Sequence, residues 1–281
     1  MIIIRSIRQM QKHCRFLAAK GKSLALVPTM GFLHDGHLAL IRRARKQSDR
    51  VITSIFVNPT QFAADEDFSR YPRDEKSDLA KIKGAGGDIV FIPKAKDIYH
   101  ENFQTFVDVQ KLTRTLEGKA RPGHFLGVAT IVAKLFNITR PDVAIFGMKD
   151  FQQVVVLKQM TADLNYPIRF VVAPTVREKD GLAMSSRNSY FSPQQRQDAV
   201  CLYRALLRAK ALVAENVLDP DILRAEMELV IKSICPTAEI DYIAFTDLET
   251  LEPLNPIRKN CVCSLAVRLY NVRLIDNMKL L

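Results

Sequence analysis

Residues 28–37 read PTMGFLHDGH, and this stretch is the most informative part of the chain about its fold. The apolar run 23–27 precedes it and is typical of a buried parallel strand, while a helical pattern begins at Leu38. We therefore predict a loop between a strand of an open α/β sheet and the helix that follows it. Such loops bind phosphate groups, because free N–H groups and the positive dipole end of the helix face them.

Two histidines three residues apart, His34 and His37, give this loop its chemical character. Each imidazole can donate an N–H group to a phosphate oxygen, and a nearby triphosphate favours the protonated form. The alternative is a tight turn with two solvated histidines. The position of the loop alone does not decide between a phosphate-binding site and a solvated turn. The rest of the chain is needed to decide between them.

The composition narrows the class of protein. A chain of 281 residues, 48% hydrophobic and 25% charged, is an ordinary soluble globular chain with room for one large domain or two smaller ones. The net charge of +11 is spread along the sequence without an aromatic platform, which disfavours nucleic acid as a partner. No apolar run approaches the ~20 residues of a membrane span. Five cysteines without a CxxC pair indicate buried thiols in the reducing cytoplasm.

Strand and helix patterns alternate from Met1 to about Val176, which predicts a doubly wound parallel sheet. The predicted strands are 2–4, 23–27, 51–57, 88–92, 143–146 and 168–172, with a possible short strand at 105–109. After Ser189 the alternation stops, and an α+β pattern follows. Its predicted elements are a helix over 192–215, a second helix from Asp219, strands 239–246 and 261–269, and a short strand near Leu274. We place a domain boundary near Val176, which gives domains 1–176 and 177–281.

Polar side chains follow four of the predicted strands. Ligands of such sheets bind beyond the carboxyl ends of the strands, so four clusters at one edge predict a binding site. The clusters are Met30, His34 and His37; Asn58 and Gln61; Gly147, Lys149, Asp150 and Gln153; and the loop 175–188, TVREKDGLAMSSRN.

The residue types in these clusters suit a nucleoside triphosphate. Lys149 is a point charge, and the forked guanidinium of Arg187 can hold a phosphate through two bonds. Ser185 and Ser186 supply short hydroxyl donors, and the Asp150 carboxylate suits ribose hydroxyls or a metal ion. Charge that develops on an α-phosphate and a leaving pyrophosphate needs such a set of donors held in place.

The HxGH motif and the late serine-rich basic loop resemble the nucleotidylyltransferase superfamily. Longer motifs resemble the pantothenate synthetase family more closely, and they cover most of 28–192 together with 273–277. These motifs are PTMGFLHDGH, FVNPTQF, RYPRD, EGKARPGHFLGVATIVAKLFNITRPDVAIFGMKDFQQ, REKDGLAMSSRNSYFS and RLIDN. The resemblance implies a Rossmann-like domain with a smaller C-terminal lid, and a homodimer. It implies that ATP, with Mg²⁺, drives the condensation of (R)-pantoate with β-alanine through a pantoyl adenylate.

The resemblance also implies roles for individual residues. Gln61 and Gln153 bind pantoate, with Gln61 near β-alanine, and no residue is assigned to a metal. The catalytic residues implied are His34, His37, Lys149, Ser185, Ser186 and Arg187. The ATP-binding residues implied are Met30, Gly31, Phe32, Leu33, His34, Asp35, Gly36, His37, Gly147, Met148, Lys149, Asp150, Val176, Met184, Ser185, Ser186 and Arg187.

One alternative activity is a nucleotidylyltransferase that moves AMP onto a phosphate acceptor, which would need no amine site.

Four further expectations concern single residues and short segments. Arg121 and His124 are expected to support the pantoate pocket rather than to contact phosphate. The carboxylates of 65–67 are expected to solvate a loop rather than to bind metal. The loop 178–188 is expected to close over ATP about Gly181. Asn271 departs from the glycine-containing turn common in the family, a difference expected to affect the tail alone.

Overall fold

The structure is a computed structural model that describes residues 1–63 and 66–281. Strands and helices alternate in the N-terminal half, and three helices and a second sheet follow in the C-terminal half. The strands are β1 Ile2–Ile4, β2 Leu24–Thr29, β3 Arg50–Ile55, β4 Ile89–Phe91, β5 Val143–Gly147, β6 Arg169–Ala173, β7 Glu239–Asp247, β8 Cys261–Leu269 and β9 Val272–Lys279. The helices are α1 Ile7–Ala19, α2 Asp35–Arg45, α3 Glu75–Gly84, α4 Ala95–Ile98, α5 Leu116–Ala120, α6 His124–Thr139, α7 Phe151–Asp163, α8 Pro193–Asp198, α9 Cys201–Ala214 and α10 Pro220–Ile234.

The first sheet has six parallel strands in the order β1-β4-β3-β2-β5-β6, which confirms the predicted Rossmann-like fold. The direction in which successive strands are added reverses at β2, between β3 and β5. The loops that follow β2 and β5 therefore diverge and leave a crevice at the carboxyl edge of the sheet. The stretch 28–37 lies at this crevice.

Helices cover both faces of this sheet. Met10 of α1, Phe136 of α6 and Leu157 of α7 are fully buried in one core. Ile41 of α2 and Ile82 of α3 are fully buried in the core on the other face. Burial on both sides explains why the central strands are continuous apolar runs instead of alternating patterns.

The second sheet is antiparallel, in the order β7-β8-β9, and α9 and α10 pack against it. All five cysteines are free and buried, as expected. Strand β9 has eight residues and pairs with β8 from Val272 to Lys279, so the predicted short strand is too short. Charged residues in RLIDN hid the strand pattern, because they face the space between the two sheets rather than solvent.

Two further predictions are wrong in detail. Residues 105–109 form no strand, because Val107 N–H donates to Thr130 Oγ1 of α6 (3.0 Å) instead of joining a sheet. The helix predicted over 192–215 is broken between α8 and α9, where Val200 N–H bonds to the Gln197 carbonyl three residues back. None of the helices in the described ranges is long and apolar enough to span a membrane.

Candidate active site

A glycine and a buried carboxylate fix the shape of the loop after β2. Gly31 has φ +85°, and a Cβ there would lie 3.0 Å from Ile55 Cγ2 and 3.1 Å from Asp78 Oδ2. The Asp78 carboxylate accepts the N–H groups of Phe32 (2.8 Å) and Leu33 (2.7 Å). The loop therefore turns tightly over α3, and only a glycine fits at its start.

Asp78 and Lys81 are supporting residues that the sequence analysis missed. Asp78 is 1% exposed, and burial raises the pKa of its carboxyl against the opposing effect of its two backbone hydrogen bonds. Lys81 Nζ donates to the Leu33 carbonyl at 2.7 Å. Asp78 lies four residues before Ile82 on the buried face of α3, and an aspartate at such an apolar position was the available signal.

The two histidines present their Nε2 atoms as donors. His34 Nδ1 accepts the Gly36 N–H (3.2 Å), and His37 Nδ1 accepts the His34 N–H (3.4 Å), so in each neutral ring the proton is on Nε2. Burial, with a smaller effect of Lys149, lowers the pKa of His34 to about 4. Burial and then His34 lower the pKa of His37 to about 3. Without nucleotide both rings are therefore neutral at pH 7, and the protonated form expected beside a triphosphate stays a prediction.

The loop after β5 places a cation beside these rings. Lys149 Nζ lies 3.2 Å from Asp150 Oδ1. Burial raises the pKa of Asp150, but the Lys149 ammonium opposes it and the net shift is downward. Asn277 Nδ2 of β9 donates to the carbonyls of Met148 (3.0 Å) and Lys149 (2.9 Å). The C-terminal sheet thus fixes the backbone that carries Lys149.

The MSSR loop docks directly on the histidine loop. Ser186 Oγ donates to the Phe32 carbonyl at 3.1 Å, so this hydroxyl is committed to a loop contact. Ser185 Oγ accepts the Arg187 N–H at 3.3 Å and keeps its own proton to donate. Arg187 donates to both carboxylate oxygens of Asp67, at 3.0 and 2.8 Å.

Gly181 lies in a tightly packed turn rather than at a flexible point. Its φ is +97°, and a Cβ there would lie 2.0 Å from the Tyr203 ring. Its carbonyl accepts a bond from Arg177 Nη1 (3.0 Å), and Arg177 bridges to Ala183 across the turn. The glycine is therefore explained by close packing against Tyr203, and closure of the loop about it stays a prediction.

The turn Pro59–Gln61 is bound to α6. Asn58 is buried, donates to the Gly127 carbonyl (3.1 Å) and accepts from Tyr99 (2.9 Å) and Thr60 Oγ1 (3.0 Å). These bonds fix the direction in which Gln61 leaves the turn.

Gly127→Ala is expected to destabilise the protein by about 3 kcal/mol, because the new Cβ would lie 2.3 Å from the Thr60 carbonyl oxygen. Urea denaturation measures the change. Gly84→Ala is the matched control: its Cβ meets nothing within 4 Å, and the substitution should be neutral or stabilise by about 0.5–1 kcal/mol. Equal stability of Gly127→Ala and the parent would show that α6 and the turn can separate easily.

Arg121 and His124 support Gln61 through its backbone. Arg121 Nη2 (3.2 Å) and His124 Nδ1 (2.9 Å) both donate to the Gln61 carbonyl. Burial, and then Arg121, lower the pKa of His124 to about 4, so the ring is neutral and its Nε2 accepts from Arg121 Nη1 (3.2 Å). These contacts favour the supporting role expected for this pair.

The acidic residues before Phe68 do more than solvate a loop, so that expectation is wrong for two of them. Glu66 accepts two bonds from Arg121, at 2.6 and 2.7 Å. Asp67 accepts two from Arg187 and a third from the Tyr190 hydroxyl at 3.1 Å. Asp65 lies outside the described residues.

A cavity of about 880 Å³ lies between the carboxyl edge of the parallel sheet and the C-terminal sheet. A shallower cavity of about 300 Å³ adjoins it, and Ser185 lines both. The predicted site residues that line the large cavity are Met30, Gln61, Lys149, Asp150, Gln153, Ser185 and Arg187. Those that line the smaller one are Leu33, His34, Asp35, Met184 and Ser185. The remaining predicted residues line neither: Gly31, Phe32, Gly36, His37, Gly147, Met148, Val176 and Ser186.

His37 nevertheless lies beside the smaller cavity, since its ring centroid is 4.1 Å from that of His34.

Asn271 lines the large cavity. The expectation that its departure from the glycine-containing turn of the family affects the tail alone is therefore wrong.

A buried ion pair joins the two halves at the large cavity. Arg273 of β9 donates to both oxygens of Glu117 (2.7 and 2.9 Å), and the Tyr242 hydroxyl donates to the same carboxylate (2.8 Å). Glu117 N–H in turn donates to Gln152 Oε1 (2.9 Å), next to Gln153 on α7. The sequence analysis missed this network, although the RLIDN motif was its visible part.

Comparison with known proteins identifies the family of this chain. The family model described as Pantoate-beta-alanine ligase matches residues 2–279. The chain belongs to this family. A pantothenate synthetase of Heliobacterium modesticaldum is 51% identical over 280 residues, which cover 99% of each chain. One of Geobacter sulfurreducens is 50% identical over 277 residues, covering 99% of this chain and 98% of the other.

Solved structures of pantoate–β-alanine ligases superpose closely on this chain. The pantothenate synthetase of Thermus thermophilus superposes with a TM-score of 0.93 at 42% identity, covering 100% of this chain and 99% of the other. The pantoate–β-alanine ligase of Francisella tularensis superposes with a TM-score of 0.83 at 34% identity, covering 99% and 97%. That ligase was solved in complex with beta-gamma ATP and beta-alanine.

Proposed function

We propose that this chain condenses (R)-pantoate with β-alanine, using ATP, and releases AMP and pyrophosphate. Family membership supports this activity, and so does the Francisella tularensis relative solved with an ATP compound and β-alanine. The observation that carries the proposal is the large cavity, because it brings the cations Lys149 and Arg187 into one space with the amides of Gln61 and Gln153. The anionic phosphates of ATP need cations such as Lys149 and Arg187. A small hydroxy acid needs hydrogen-bonding amides such as those of Gln61 and Gln153.

ATP occupies the crevice at the carboxyl ends of β2 and β5 in this proposal. The loop backbone, the Nε2–H groups of the two histidines and the Lys149 ammonium face the phosphates, and Asp150 faces the ribose. Val176 lies beside the adenine, and residues 184–187 close over the triphosphate. The ATP-binding residues we propose are Met30, Gly31, Phe32, Leu33, His34, Asp35, Gly36, His37, Gly147, Met148, Lys149, Asp150, Val176, Met184, Ser185, Ser186 and Arg187.

The first chemical step joins pantoate to AMP. A carboxylate oxygen of pantoate attacks the α-phosphorus, and the bond to the pyrophosphate oxygen breaks. Negative charge grows on the α-phosphate and on the leaving group, where His34, His37 and Lys149 donate hydrogen bonds. Neutral imidazoles suit this role, since a fixed Nε2–H group donates without first having to gain a proton.

The second step transfers the pantoyl group to the amine. The β-alanine nitrogen, as the free amine, attacks the acyl carbon, the acyl–phosphate bond breaks, AMP leaves, and the nitrogen gives up one proton to solvent. Gln61 and Gln153 orient pantoate by hydrogen bonds to its hydroxyl groups and carboxylate. Arg121 and His124 hold Gln61 in place through its carbonyl, so the pocket is preorganised before pantoate enters.

Mg²⁺ accompanies ATP in this proposal. Within residues 1–63 and 66–281, no three His, Cys, Asp or Glu side chains are grouped so that they would hold a metal ion. The residues present fit a Mg²⁺ ion that arrives with the phosphates, because such an ion keeps several waters and binds substrate phosphates rather than a cage of protein ligands. The bound ion would supply neutralising charge on the phosphate oxygens. We also propose a homodimer that works in the cytoplasm, as the family resemblance implies.

Pyrophosphate release tests the function. With ATP, Mg²⁺ and pantoate, we expect a burst of about one pyrophosphate per site, because the adenylate stays bound until an amine arrives. AMP and pantothenate should accumulate only when β-alanine is added. ATP without pantoate is the control. The nucleotidylyltransferase alternative predicts turnover with a phosphate acceptor and no free AMP, and absence of turnover with pantoate would favour it.

A further inference from the structure

Two neighbouring carboxylates, those of Glu66 and Asp67, each form an ion pair with an arginine that lines the large cavity. Glu66 binds Arg121 through two hydrogen bonds of 2.6 and 2.7 Å, and Asp67 binds Arg187 through two of 3.0 and 2.8 Å. Both pairs have the two-pronged geometry with which an arginine binds a phosphate or a substrate carboxylate. Protein carboxylates thus stand where substrate anions would bind.

The pair of Asp67 and Arg187 is the more consequential, because Arg187 belongs to the loop assigned to the triphosphate. The Asp67 side chain is 13% exposed, and the Tyr190 hydroxyl adds a third bond to it at 3.1 Å. Asp67 takes the Nε–H and one Nη2–H of Arg187, which is the forked edge of the guanidinium that faces it, and leaves the second Nη2–H and the two Nη1–H groups. A phosphate cannot take the same two donors while Asp67 holds them.

We propose that Asp67 competes with the triphosphate of ATP for Arg187 and thereby sets the affinity for ATP. The inference rests on the proposed function, since it takes the triphosphate as the ligand of Arg187. In the empty protein Asp67 keeps the guanidinium ordered and neutralised. When ATP binds, Arg187 exchanges the carboxylate for phosphate oxygens.

The size of the effect follows from the fraction of protein in which Arg187 is free. Apparent affinity is the intrinsic affinity multiplied by that fraction. A partly exposed ion pair is weak enough to be open about 10–30% of the time, so removing Asp67 should tighten ATP binding about three- to tenfold.

The test is calorimetric titration of Asp67→Asn with Mg²⁺ and a non-hydrolysable β,γ-imido analogue of ATP. The amide keeps the shape of Asp67 and removes its charge, so the dissociation constant should fall about three- to tenfold. Asp108→Asn makes the same charge change at an exposed position away from the cavity and should leave the constant unchanged. An equal or larger dissociation constant for Asp67→Asn than for the parent would overturn the inference.

Hydrogen exchange of the unmodified protein gives a second measurement that needs no variant. The Arg70 N–H donates to the Asp67 carbonyl (3.1 Å), so release of Asp67 should speed exchange at 66–70 when the analogue binds. Unchanged or slower exchange there would count against release. If the unmodified protein failed to bind the analogue at all, the proposed function itself would be wrong. Equal binding by Asp67→Asn and the parent would contradict the role of Asp67 alone.

Discussion

His37→Ala is expected to slow adenylate formation at least about a hundredfold while the fold is kept, because it removes a fixed donor from the developing phosphate charge. The structure explains why the loss is large. Burial keeps the ring neutral, and its Nδ1 is occupied by the His34 N–H, so Nε2–H is the one donor the ring offers. Single-turnover pyrophosphate release with saturating pantoate measures this step.

Two further variants make the result specific. His100→Ala removes an exposed histidine outside both cavities and should leave the rate unchanged. His37→Asn keeps a short N–H donor but no group that titrates near neutrality. Partial recovery in His37→Asn would identify donation to phosphate as the role, whereas near-normal turnover of His37→Ala would contradict the assignment of His37.

Glu117→Ala is expected to lower the free energy of unfolding by about 3 kcal/mol, the low end of the range for breaking a buried ion pair from one side, because Arg273 keeps a bond from its Nε to Asp241 (2.5 Å). The Glu117 and Arg273 side chains are only 8% and 17% exposed. The substitution strips Arg273 of two bonds and the Tyr242 hydroxyl of its acceptor. Urea denaturation measures the loss.

A surface pair provides the matched control for this substitution. Glu249 lies 3.8 Å from Lys158, with the two side chains 73% and 65% exposed. Glu249→Ala should change the free energy of unfolding by less than about 0.5 kcal/mol, because water screens such pairs. A similar small effect of Glu117→Ala would show that the two halves are not held together by this ion pair.

The loss of unfolding free energy caused by Glu117→Ala should also depend on pH. Burial raises the pKa of Glu117, but the hydrogen bonds and charge of Arg273 outweigh it, and the net pKa lies below the ordinary 4.5. A carboxyl with a depressed pKa stabilises the folded state fully above its unfolded pKa and loses that contribution as pH falls. The difference between parent and variant should therefore be full at pH 7 and shrink below about pH 4.5. An equal difference at pH 7 and pH 3 would contradict this account.

Local structure followed from the sequence, because the physical causes of that structure lie within a few residues of each other. An apolar run and the glycines after it specify β2 and its loop. Ser192 and Gln195 specify the capping box that begins α8, and Asp219 caps α10, the helix predicted to begin there. Alternation of such units was enough to predict the parallel sheet, since parallel strands require a helical crossover. It was not enough to predict β9, whose polar residues face an interior cavity.

Which groups meet was settled by the tertiary structure. Arg187 was recognisable as a candidate phosphate ligand by its type, but its partner Asp67 lies 120 residues away. Glu117, one partner of Arg273, lies 156 residues away on the other side of the cavity. Asp78 supports the histidine loop from a helix about 45 residues further on, and Gly181 is required by the Tyr203 ring. No local pattern records such contacts, because they arise only when the sheet order and the second domain bring distant segments to one edge.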